Sequence, residues 1–64
     1  MTVPLAVQIA CVRREIALRR NVYRRRVLAG QMRPEEARRE LDAMQAVLDT
    51  LMALADVGLA PETA

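Results

Sequence analysis

The chain has 64 residues, a formal net charge of +2, one cysteine and no histidine, which excludes a disulfide framework and the usual four-ligand zinc spacings. At this length a lone chain buries only about 60% of the surface its unfolded form exposes, so very regular helix packing or self-association has to make up the difference. Glycine and proline are sparse, Tyr23 is the only aromatic, and Ala, Leu, Val, Met, Arg and the acids make up most of the rest, a composition that predicts an all-α protein.

The longest uncharged stretch, Met1 to Val12, contains Pro4 and Gln8 and falls well short of the ~20 residues needed to cross a bilayer. Basic residues follow this apolar run instead of preceding it, which does not read as a signal peptide. The expectation is a cytoplasmic protein with no membrane partner.

Thr2-Val3-Pro4 supplies a helix start, since proline is tolerated in the first turn, and no breaker intervenes before Ala29-Gly30. The first helix is therefore expected over about 4–29, with Gly30 as the residue that closes it. At 100° per residue its apolar side chains form two stripes. Leu5, Ile9, Val12, Ile16, Tyr23 and Val27 make one, suited to face a partner helix of the same chain. Val7, Cys11, Leu18 and Val22 make a second on the opposite side, which a two-helix hairpin leaves uncovered.

A turn at 30–33 leads to Pro34-Glu35-Glu36, which places proline at the first helical position and two acids in the first turn. The second helix is expected over about 34–56, ended by Gly58 and Pro61, with a frayed tail at 57–64. Its apolar face holds Leu41, Met44, Val47, Leu48, Leu51, Met52 and Ala55, with Leu54 at the edge. So short a connection between two long helices predicts one domain, an antiparallel helical hairpin. Pairing two hairpins through Val7, Cys11, Leu18 and Val22 would give a homodimeric four-helix bundle, because an exposed apolar stripe marks an association site. The alternative is that these residues are scattered surface positions, and Cys11 itself reads as a small buried hydrophobe with no histidine to activate it.

Charge is unevenly spread. Residues 1–33 hold eight Arg and one Glu, whereas 34–64 hold two Arg and seven acids, and no basic residue is Lys. A GC-rich genome explains the preference for Arg, and so does selection for bidentate contacts to phosphate or carboxylate. Glu35, Asp42, Asp49 and Asp56 recur every seven residues along the polar side of the second helix. Ion pairs between this line and Arg13, Arg20 and Arg24, or Arg19 and Arg26, on the first helix would set register while each contributes about 0–1 kcal/mol.

One acidic line faces only part of the helix circumference, so it does not account for five Arg within residues 19–26. Arg19 or Arg20 also stands where the main stripe lacks a hydrophobe, which is costly unless the guanidinium is paired or bound. Tyr23 lies among these arginines, either as an interfacial core residue with its hydroxyl at the rim or as a ring that stacks a base while Arg forks hold phosphate. Arg19, Arg20, Tyr23, Arg24 and Arg26 are the candidate ligand-binding residues. No serine, histidine or glycine-rich phosphate loop is present, which argues against an enzyme and offers no cofactor site. Glu36 and Glu40, four apart, lack the histidine of a bundle di-metal site and read as a solvated face, so no metal residues are assigned.

The stretch Gln8-Ile9-Ala10-Cys11-Val12-Arg13-Arg14-Glu15-Ile16-Ala17-Leu18-Arg19-Arg20-Asn21-Val22-Tyr23, then Ala29-Gly30-Gln31-Met32 and Met44-Gln45-Ala46-Val47-Leu48-Asp49-Thr50-Leu51, resembles a family of short helical proteins encoded by phages and prophages of proteobacteria. The family pattern has Tyr-Pro followed by an aromatic after the Arg-rich run, and a Thr at the start of the second helix. Here Arg24, Arg26 and Arg33 stand at those places, which removes the reason for a bend after Tyr23 and the side-chain cap. The resemblance implies no site residues; it implies a setting, that of accessory or counter-defence factors which bind a host protein or sequester a signalling molecule.

Three functions remain open at this point. The first is a non-enzymatic oligomeric binder whose Arg19 to Arg26 segment captures an anionic ligand, such as a nucleotide messenger, or an acidic host protein surface. The second is a nucleic-acid binder using the same basic helix, disfavoured by the low net charge and the nearby acids. The third is an interaction module that docks its second apolar stripe on a host protein.

Overall fold

A computed structural model describes residues 2–58 and consists of two helices, α1 (Leu5–Leu28) and α2 (Pro34–Asp56), with no strand among the described residues. It is an all-α antiparallel hairpin. Arg13, early in α1, reaches Met52, late in α2, while Val27 and Leu28 share a depression with Pro34, Ala37 and Leu41 beside the turn.

The helix ends follow from backbone chemistry. Pro4 is the N-cap of α1, with φ −54° and ψ 145°, so the helix opens one residue later than a first-turn proline would place it. The Pro4 carbonyl accepts from the amides of Val7 and Gln8 at 3.0 and 3.1 Å, and Gln8 Nε2 donates to the Val3 carbonyl at 2.8 Å. At the other end Gly30 has φ +74°. Its amide donates to the Val27 carbonyl at 3.1 Å and that of Gln31 to the Arg26 carbonyl at 2.8 Å, the paired bonds of a Schellman closure that glycine's left-handed backbone permits.

α1 continues as one helix past Tyr23 to Leu28. Arg33 is the N-cap of α2 and makes no side-chain capping bond; Pro34 follows at the first helical position, and Glu35 and Glu36 supply the acids of the first turn. Asp56 ends α2, and Gly58 again takes a positive φ, 73°. Val57 and Gly58 apart, the expected frayed tail and the stop at Pro61 lie outside the described residues.

The core is a single seam. Leu5, Ile16 and Tyr23 from α1 meet Ala37 and Leu48 from α2, and these five are the buried hydrophobic residues among those described. Ile9, Val12 and Val27 of the main stripe are half-buried, as are Leu41, Met44 and Leu51 of α2. Val47, Met52, Leu54 and Ala55 are exposed, although the helical pattern of α2 assigned them to its apolar face or edge. In a molecule 47 × 18 × 15 Å, two rods meet along one line, and only side chains aimed at that line leave water. Ala37, absent from the expected face, is buried close to Tyr23 because a small side chain there leaves room for the aromatic ring.

Candidate functional site

The hairpin overlays the Arg-rich half of α1 on the start of α2. Residues 19–42, the half nearer the turn, hold eight Arg and four acids, and the rest of the described chain holds two Arg and three acids. Basic charge therefore gathers at the turn end.

Expected ion pairs between the helices do not form. Among the described residues the one ion pair is Arg19 to Glu15, Nε to Oε1 at 3.0 Å, four residues apart on α1. Asp49 instead accepts from Gln45 Nε2 at 3.0 Å on its own helix, and Arg13 Nη2 contacts Met52 Sδ at 3.7 Å. The acidic line of α2 faces solvent: Glu35, Asp42, Asp49 and Asp56 are all exposed. Exposed acids and arginines gain too little from pairing to outweigh hydration and side-chain freedom.

The candidate residues separate into three groups. Arg19 and Tyr23 form the first: Arg19 Nη1 donates to Tyr23 Oη at 3.1 Å while its Nε holds Glu15. Tyr23 is 8% exposed, so its ring packs in the seam and offers little open face to a base. The Tyr23 hydroxyl first, and Glu15 second, hold the Arg19 guanidinium above its already high range. A raised cation adds stability that is fully present below its unfolded value and is lost only as pH climbs through the folded one, so Arg19 stays charged across the neutral range.

Arg20 and Arg24 form the second group. With Tyr23, Val27, Leu28, Pro34, Ala37 and Leu41 they line an open depression of about 280 Å³ between the helices at the turn end. Arg24 Nη2 donates to Asn21 Oδ1 at 3.1 Å, and Arg20 makes no side-chain hydrogen bond or ion pair among the described residues. Its floor is apolar, and Leu28 at its edge is 81% exposed. Arg26, the third group, is exposed and makes no side-chain hydrogen bond or ion pair among the described residues. The helical pattern alone did not reveal Val27, Leu28, Pro34 and Leu41 as parts of one surface, because the depression exists only once the two helices meet.

The second apolar stripe lies on the outside of α1. Val7 is 53% and Leu18 56% exposed, Cys11 is a free, exposed thiol, and Val22 is half-buried. Val7 and Cys11 line a larger groove, about 690 Å³, with Val3, Gln8, Val12, Arg14, Val47 and Leu51 at the open end of the hairpin. No group of three or more metal-ligating side chains lies together among the described residues. No helix of the described residues is long and apolar enough to cross a membrane.

Compared with protein-family models, curated proteins and solved structures, the chain matches none.

Proposed function

We propose that this chain is a non-enzymatic, self-associating binding protein that captures an acidic protein surface on the turn half of its hairpin. The observation that carries the reading is the unpaired basic charge there: eight Arg against four acids between residues 19 and 42, with Arg19–Glu15 the one ion pair among the described residues. Guanidinium forks with no carboxylate of their own are ready donors to a partner's carboxylates.

The form of the depression favours a protein partner over a nucleotide messenger. Arg20 and Arg24 stand beside an apolar floor of Val27, Leu28, Pro34, Ala37 and Leu41, which suits an apolar side chain flanked by acids. A nucleotide needs an open stacking face, and Tyr23, although it lines the depression, is only 8% exposed. The setting that fits is the cytoplasm of a bacterium carrying a phage or prophage, with the protein acting as an accessory or counter-defence factor; the sequence resemblance supports that setting.

The test uses a fluorescent peptide with a central Leu between Asp and Glu residues, titrated with the full chain. Binding is expected, and the double variant Arg20→Ala/Arg24→Ala should weaken it about tenfold or more, as loss of charge-assisted contacts does, with helix content and assembly mass unchanged. Equal binding by the variant overturns the proposal. A stronger response to single-stranded DNA or to a cyclic dinucleotide than to the peptide also overturns it, in favour of those anions.

A further inference from the structure

We infer that the outer stripe of α1 pairs antiparallel with the same stripe of a second copy, about a two-fold axis passing between Arg14 and Glu15. This rests on the self-association in the proposed function and assigns its register. Val7 and Val22 share a midpoint between residues 14 and 15, and so do Cys11 and Leu18. Antiparallel pairing about that midpoint sets Val7 against the partner's Val22 and Cys11 against the partner's Leu18. A two-fold interface requires a surface that complements itself in this way.

Three observations support a second copy as the occupant. Val7 and Leu18 are more than half exposed, in a chain whose seam buries five hydrophobic residues. The groove of about 690 Å³ is lined by Val7 and Cys11, so the opposing Leu18 and Val22 supply side chains to fill it, once in each copy. Charge agrees as well. Arg14 lines the groove and makes no side-chain bond among the described residues, and the two-fold sets it against the partner's Glu15, whose counterpart in this chain uses only Oε1 toward Arg19. Parallel pairing in register would instead set Arg14 on Arg14 and bring both basic turn halves together, whereas the antiparallel register sends them to opposite ends.

The full chain is examined first by native mass spectrometry and sedimentation, where twice the chain mass is expected. Three chains are then oxidised in air with a copper catalyst: wild type, Leu18→Cys, and Leu18→Cys in a Cys11→Ala background. Only the variant holding thiols at both 11 and 18 should give a covalent dimer in high yield, since each position lies two helical turns from its own copy along the axis. Arg14→Glu should raise the dimer dissociation constant about tenfold or more, and the double swap Arg14→Glu/Glu15→Arg should recover most of that loss. A dimer by mass in which wild type cross-links readily through Cys11 alone overturns the register while self-association stands. A monomer at every concentration removes both, and the peptide titration then tests the basic surface independently.

Discussion

Nη1 of Arg19 donates a 3.1 Å hydrogen bond to the hydroxyl of Tyr23, one turn further along α1. The same guanidinium holds Glu15 one turn back, so three side chains at a spacing of four residues form a ladder along the flank of the seam. The ladder explains how an arginine is tolerated beside a break in the apolar stripe. Two of its three nitrogens hold partners and the side chain is 43% exposed, so the stem covers apolar surface while the charge stays near water.

Tyr23→Phe keeps the buried ring and leaves Arg19 to Glu15. Helix content should be unchanged and Tm should move by no more than about 5 °C. Tyr23→Ala removes the largest side chain of the core and should destabilise by about 3–5 kcal/mol, enough to lose the cooperative transition in a domain this small. Thermal circular dichroism reads both, and equal effects of the two substitutions would show that the hydroxyl, not the ring, holds the hairpin.

Arg33 gives α2 no side-chain cap, and Glu36 lies three residues on. Arg33→Ser creates the reciprocal arrangement of a hydroxyl and a Glu at the helix start, which should add about 0.5–2 kcal/mol. The expected readout is a higher midpoint in urea with an unchanged slope. No gain would mean that the β-region backbone at residue 33 does not aim the hydroxyl at the free amides.

At Gly30 an added methyl group would meet nothing within 4 Å, but φ is +74°. Gly30→Ala should therefore cost about 1–2 kcal/mol from backbone strain alone, and Gly30→Asn should cost less, because Asn visits this region more readily. Chemical denaturation of the two variants separates them. Equal losses would point to a contact at the turn instead of a backbone requirement.

Asp42 is exposed and pairs with no arginine among the described residues. Asp42→Asn should change stability by less than about 0.5 kcal/mol. A larger loss in a denaturant melt would reveal an attraction to α1 of the kind the seven-residue acidic spacing suggests.

Much of this molecule was legible in particular residues. The spacing of Leu5, Ile16 and Tyr23 marks the face of α1 that the hairpin buries, and Gly30 followed by Pro34 marks a turn whose backbone geometry is local. The second stripe was legible for the same reason in Val7, Cys11 and Leu18, which stay exposed on the far side of α1, while Val22 is half-buried. Pairing of charges was not. Glu35, Asp42, Asp49 and Asp56 have the periodicity of an ion-pair line, yet the same repeat describes a solvated face.

By itself the sequence determined the helices, their ends and the two apolar faces of α1, because periodicity, capping and proline or glycine preferences act over a few neighbouring residues. Only the tertiary structure decided that Ala37 is core while Val47 is not, and that Arg20 and Arg24 border an apolar depression with Val27 and Leu41. Those outcomes depend on how closely two helices approach and how they are rotated, and that is set by the sum of contacts along the whole seam.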